Sequence, residues 1–143
     1  ISGLKQEYEK GNIILLDRYT TSSLIYQSTT IEDKEEREKF IDYIYDYEYN
    51  KMGLPAPDLV IFLHLPFELA NELRKKRKSN GEIQDDIHES DIAFMKMVSD
   101  TSIDIANKYN WDFIECSSDN KLRSIEDIHN DVYKLVRKKI YND

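Results

Sequence analysis

Three short apolar runs, at residues 13–16, 59–65 and 111–116, alternate with long stretches rich in charge and of helical periodicity. Runs of this length and character read as strands buried on both faces. Strands that alternate with helices can close a core only as a parallel sheet flanked by helices, joined through right-handed βαβ units. The expected fold class is therefore α/β. With 143 residues and 40% hydrophobic content, the chain is expected to form one domain over 1–143. Three strands are few beside a typical sheet of ~5–6. Together with an opening that lacks methionine, this leads us to expect an N-terminally incomplete sheet.

The helices have readable ends. Residues 4–10 stop at Gly11. Thr30, with Asp33 three residues on, resembles a cap for a helix over 31–52, which Gly53, Pro55 and Pro57 terminate. Within it, Tyr43, Tyr45, Tyr47 and Tyr49 alternate as in a strand, while Phe40, Ile41, Ile44 and Tyr47 keep helical spacing. The helical reading is preferred. Pro66 opens the next helix, which ends in the basic run 74–78. A helix over 90–109 carries Ile92, Met95, Val98, Ile103 and Ile105. Ser124 and Asp127 cap a last one through Ile128, Val132, Leu135 and Val136.

Charge narrows the function classes. The formal net charge of -8 argues against a nucleic-acid partner, which would call for a basic face. No apolar run nears the ~18 residues of a membrane span. The single cysteine, Cys116, leaves no disulfide within the chain, which fits a reducing, cytoplasmic setting. His88 and His129 read as surface residues, and no metal-ligand spacing of Cys and His occurs.

The first apolar run leads directly into Asp17 and Arg18. Carboxyl ends of strands are where α/β sheets deliver polar groups to ligands. An Asp there can hold Mg²⁺ beside a nucleotide phosphate, and an Arg offers a planar, permanently charged fork to a phosphate. On this pair alone, a phosphate site and a strand-end salt bridge are about equally good readings. Ser22 and Ser23 would otherwise be loop caps, and Tyr26 a core aromatic.

The longer pattern Asp17-Arg18-Tyr19-x-x-Ser22-Ser23-x-x-Tyr26-Gln27 resembles the signature of the thymidylate kinase family. Further pieces follow in the family's order: Pro57-Asp58-Leu59 before the second run, Pro66-x-Glu68 after it, and a basic lid segment over 74–90. The resemblance covers essentially the whole chain but only the later part of the family's fold. It implies a P-loop nucleoside monophosphate kinase type of α/β fold. It also implies transfer of the γ-phosphoryl of ATP to dTMP with Mg²⁺, and a homodimer. Asp17 would organise Mg²⁺ through water, and Arg18 would grip the acceptor phosphate; these are the expected catalytic pair. Ser23 and Gln27 would bond the thymine side, and Tyr26 would sit under the sugar. Arg74 and Arg77 would begin the lid over ATP, Arg74 more readily than Arg77.

The chain departs from the family pattern in places. The lid reads Asp86-Ile87-His88-Glu89, without the arginine usual at Ile87. Thr21 and His64 stand where the family often has Asp; His64 reads as a core or strand-end residue rather than a ligand. No Gly-x-x-x-x-Gly-Lys-Ser/Thr loop occurs, and none of the four glycines precedes Lys-Ser or Lys-Thr. That loop cradles donor phosphates. We therefore expect the chain alone to have little kinase activity. Two other readings stay open here: a kinase for another nucleoside monophosphate or a deoxynucleoside, and a non-catalytic chain that binds nucleotide or dimerises.

Overall fold

The computed structural model describes residues 2–81 and 89–141. The chain groups into two compact units, Ile1–Asp58 and Leu59–Asp143.

The first unit is helical. Helix α1 (Ser2–Glu9) is followed by a segment without regular secondary structure, the turn 17–19, α2 (Thr20–Thr29) and α3 (Lys34–Tyr45). Helix α3 runs directly into a π-helical turn, Asp46–Lys51. Helices α2 and α3 pack together. Leu24 and Ile41 are buried here, as are Ser28 and Thr29. The two buried hydroxyls donate to the backbone one turn earlier, Ser28 Oγ to Leu24 O at 2.6 Å and Thr29 Oγ1 to Ile25 O at 2.8 Å. Bonded this way, small polar residues can lie at a tight helix contact without an unsatisfied group.

Two expectations fail in this unit. Residues 13–16 have no regular secondary structure and enter no β-ladder among the described residues. Ile13, Leu15 and Leu16 are 65%, 78% and 50% exposed, so this is not a buried strand. An apolar run specifies a wish for burial, whereas a strand also needs a neighbour to take its N–H and C=O groups. The second concerns helix α3, which begins at Lys34 rather than after Thr30. Asp33 caps it, its carboxylate accepting from Glu36 N at 2.8 Å. Thr30 instead closes α2, its hydroxyl donating to Gln27 O at 2.7 Å. Asp33 outcompetes Thr30 because the acidic Glu35 and Glu36 then fall in the first turn, where the helix dipole favours them.

The tyrosine segment is helical, as preferred. Its rings pair at four-residue spacing: Tyr43 stacks with Tyr47, and Tyr45 meets Tyr49 edge-on with centroids 4.7 Å apart. The π-turn closes through Met52 N donating to Tyr47 O at 2.8 Å, five residues back. Gly53 then takes φ +64, and Leu54 N reaches Glu48 O at 3.1 Å. Glycine adopts this left-handed conformation without steric cost, which ends the helix cleanly.

The second unit is α/β. Strand β1 (Ile61–His64) leads through Pro66 into α4 (Phe67–Ser79). Helix α5 (Glu89–Lys108) leads into β2 (Asp112–Glu115). A small hairpin, β3 (Ser117–Ser118) and β4 (Lys121–Leu122), precedes α6 (Ile125–Tyr141). Strands β1 and β2 are parallel, with Ile61 opposite Asp112 and His64 opposite Glu115. The parallel pairing expected from the alternation of runs and helices is present. The strand over 59–65 is less buried than expected, since Leu63 lies exposed and its neighbours are half-buried.

The core of this unit is a stripe on α5, Thr101, Ser102, Ile105 and Ala106, together with Ile114 and Cys116. Helix α5 ends where Asn110 takes φ +52 and Trp111 N donates to Ala106 O at 2.8 Å. This left-handed cap turns the chain into β2. Helix α6 packs against β2. Its cap is the expected one: Ser124 Oγ accepts from Asp127 N at 3.0 Å and donates to the Asp127 carboxylate at 2.6 Å. Ser124→Ala is expected to cost about 1 kcal/mol, measured by urea denaturation of the chain.

Candidate active site

In the first unit, the turn 17–19 and α2 gather five residues singled out by sequence. Asp17 and Arg18 lie exposed in the turn, immediately before the helix. Arg18 has φ +70. A left-handed conformation at a residue with a full side chain costs roughly 1–2 kcal/mol and persists only where its surroundings fix it. Ser23, Tyr26 and Gln27 are exposed on α2. Their spacing of three and four residues places them on one face. The opposite face is the buried one, through Leu24, Ser28 and Thr29. Tyr26, 46% exposed, is therefore not the core aromatic that the pattern alone left open.

The start of α2 is held from behind. Tyr19, the residue before the helix, makes no side-chain cap bond. Its phenol donates instead to Pro55 O at 3.2 Å. The Thr20 hydroxyl meets the Tyr49 phenol at 2.6 Å. Burial raises the Glu48 carboxyl above its ordinary range, opposed by a hydrogen bond with Thr20. Burial likewise raises the Tyr19 and Tyr49 phenols, and the Glu48 charge adds to both. None of Thr20, Glu48, Tyr49 or Pro55 was marked as a site residue by sequence. Only the tyrosine pattern marked their neighbourhood, and the pairings depend on tertiary packing.

In the second unit, Arg74 and Arg77 lie on α4. Arg74 is half-buried, and its Nη2 donates to Asn71 Oδ1 at 2.9 Å; Arg77 is exposed. The lid residues Asp86, Ile87 and His88 lie outside the described residues. His64 ends β1, and its Nδ1 lies 2.8 Å from Glu115 Oε2 on the paired strand, so it is a strand-end histidine. Arg123 spans the same end of the sheet. It donates to Glu115 O and to the Asp131 carboxylate, both at 2.6 Å. The Arg123 guanidinium holds the Asp131 carboxyl below its ordinary range. Cys116 is buried, and that burial pushes its thiol up, which makes it a poor nucleophile.

Among the described residues, no three His, Cys, Asp or Glu side chains gather as a metal cage. A metal at Asp17 would be held by one carboxylate, waters and ligand phosphates. That donor set suits Mg²⁺, which keeps most of its water and shares phosphate oxygens.

A carboxylate and a guanidinium in a turn, followed by a helix face bearing a hydroxyl, a phenol and an amide, make a candidate site for a phosphorylated ligand with a flat polar ring. The amide matches a ring edge with both donor and acceptor groups. The phenol offers a flat packing surface. The family model for thymidylate kinase matches residues 1–132. The chain belongs to the thymidylate kinase family. It is 30% identical over 134 residues to the thymidylate kinase of Limosilactobacillus fermentum, covering 93% of this chain and 59% of that protein. It is 28% identical to a probable thymidylate kinase of Saccharolobus solfataricus, covering 92% and 58%. To human thymidylate kinase it is 27% identical, covering 92% and 53%. The chain thus spans little more than half the length of these relatives. No solved structure matches it. Among the described residues, no helix is long and apolar enough to cross a membrane.

Proposed function

We propose that this chain carries the acceptor-nucleotide side of a dTMP kinase. The full gene product would transfer the γ-phosphoryl of ATP to a phosphate oxygen of dTMP, giving dTDP and ADP. The observation that carries this reading is the shared exposed face of Ser23, Tyr26 and Gln27 on α2, directly after Asp17 and Arg18. Family membership supports it.

In this reading, Arg18 binds the phosphate oxygens with its planar fork and offsets charge that accumulates during transfer. Gln27 and Ser23 bond the base edge. Tyr26 packs beneath the sugar and leaves little room for a 2′-hydroxyl. Asp17 would hold Mg²⁺; the ion supplies charge neutralisation on the phosphates when bound. Arg74 and Arg77 belong to a lid over 74–90 that meets ATP and excludes water. The protein is proposed to act in the cytoplasm, as a homodimer, without nucleic-acid or membrane partners. The proposed fold is the P-loop nucleoside monophosphate kinase type, with residues 1–143 as the later part of one such domain.

The test is a competition among dTMP, dUMP, dCMP and dGMP for phosphorylation by the full gene product with ATP. dTMP is expected to lead the purine nucleotide by at least about 100-fold in kcat/KM, since a buried polar edge left unpaired is strongly rejected. A preference for dGMP would overturn the assignment.

A further inference from the structure

We infer that Thr20 and Tyr49 form a latch that fixes the Asp17-Arg18 turn and the exposed face of α2, which makes Tyr49 a positioning residue for the reaction proposed above. Its catalytic consequence rests on that reading; the latch itself does not.

Thr20 is the first residue of α2 and follows Arg18 by two positions. Its hydroxyl lies 2.6 Å from the Tyr49 phenol, in a half-buried setting. The neighbouring Tyr19 phenol reaches Pro55 O at 3.2 Å. Two consecutive residues at the start of the helix are therefore tied to two points beyond α3. The anchoring side is itself well defined. The π-turn 46–51 places Tyr49, the Tyr45 ring packs edge-on against it at 4.7 Å, and Leu54 N bonds Glu48 O at 3.1 Å. π-Turns cost helix stability and occur disproportionately at functional sites.

The need for a latch follows from Arg18. Its φ of +70 is unfavourable for an arginine, and Tyr19 gives the helix start no side-chain cap. Among the described residues, the local backbone bond at this turn is Ser22 N donating to Tyr19 O at 3.1 Å. The Thr20–Tyr49 bond supplies an anchor immediately behind it. If the anchor is lost, the turn relaxes toward ordinary backbone angles and the guanidinium moves from its place. Displacements on the order of 1 Å can cost up to about 100-fold in rate.

Two variants break the bond: Tyr49→Phe removes one hydroxyl, and Thr20→Val removes the other at equal size, together with its hydrogen bond to Glu48. In the full gene product, each is expected to lower kcat/KM for dTMP about tenfold while KM for ATP stays unchanged. The double variant is expected to be no worse than Thr20→Val alone, because that substitution already breaks the bond to Tyr49. Thr20→Ser, which keeps the hydroxyl, is expected to restore activity. Amide hydrogen exchange at residues 17–22 is expected to quicken in Tyr49→Phe with the melting temperature nearly unchanged. Wild-type dTMP kinetics in both single variants, multiplicative losses in the double variant, or unchanged exchange at 17–22 would each overturn the latch. Absence of dTMP turnover in the wild type would instead sink the substrate assignment, and hydrogen exchange would still decide the latch.

Discussion

Arg18→Ala is expected to lower the proposed phosphorylation of dTMP by the full gene product by on the order of 100- to 1000-fold, the loss typical when one pre-placed donor to developing charge is removed. The expectation follows from three properties of the residue. Its guanidinium is planar, always charged and exposed in the turn before α2. Its backbone is held at φ +70, a conformation that no side chain of its size adopts cheaply. And it shortly precedes α2, whose face with Ser23, Tyr26 and Gln27 is exposed while Leu24, Ser28 and Thr29 are buried. If Arg18 binds chiefly in the transition state, kcat and kcat/KM fall together while KM for dTMP changes little. Arg18→Lys recovers only part of the rate, because an ammonium cannot engage two oxygens in one plane.

Loss of folding would mimic this result, and the backbone offers a control. Arg18→Gly removes the same side chain but suits the left-handed conformation. Relief of strain and the added freedom of the unfolded glycine oppose each other at ~1 kcal/mol each, so its stability stays close to that of the wild type. Steady-state kinetics and thermal melts of both variants make the measurement. An inactive, normally folded Arg18→Gly protein places the loss in the guanidinium. A rate unchanged in either variant removes Arg18 from the mechanism.

The candidate site could be proposed from sequence because its residues lie close together along the chain. Asp17 through Gln27 lie within one turn and one helix, so sequence spacing alone puts Ser23, Tyr26 and Gln27 on a common face. The caps at Ser124 and the left-handed Gly53 were legible for the same local reason. The residues that hold the site from behind were not. Tyr49 lies 29 positions from Thr20, and its aim depends on a π-turn that no periodicity announces. The His64–Glu115 contact depends on the register of two distant strands, and was equally hidden. The β3–β4 hairpin could have been found: Asp119 and Asn120 both take positive φ, and such a pair is a known signal for a tight two-residue turn. The run at 13–16 misled because hydrophobicity was read as a strand, when a strand is a property of two segments.

That last contrast can be measured. Ile105→Ala is expected to destabilise the chain by about 2–5 kcal/mol, while Leu15→Ala should stay within about 0.5 kcal/mol of wild type. By sequence the two are both apolar residues in segments read as buried. In the structure, Ile105 has 0% of its surface exposed and sits in the α5 stripe with Thr101, Ser102 and Ala106, whereas Leu15 is 78% exposed. Removing three carbons from Ile105 forfeits their transfer from water and leaves a void that its neighbours cannot fill, because the Asn110 cap and the Trp111–Ala106 bond fix the end of the helix beside it. Domains of this size have total stabilities near 5–15 kcal/mol, so the loss is a large fraction of what holds the fold. Trp111 is the single tryptophan and follows the α5 cap directly, so its fluorescence during urea denaturation reports the unit that contains Ile105; the first unit, which contains Leu15 and is helical, is followed by far-UV circular dichroism. A midpoint that shifts strongly for Ile105→Ala agrees with the core assigned here. A comparable shift for Leu15→Ala would mean that the apolar run 13–16 is buried in solution after all, and that its exposed arrangement is not the resting state.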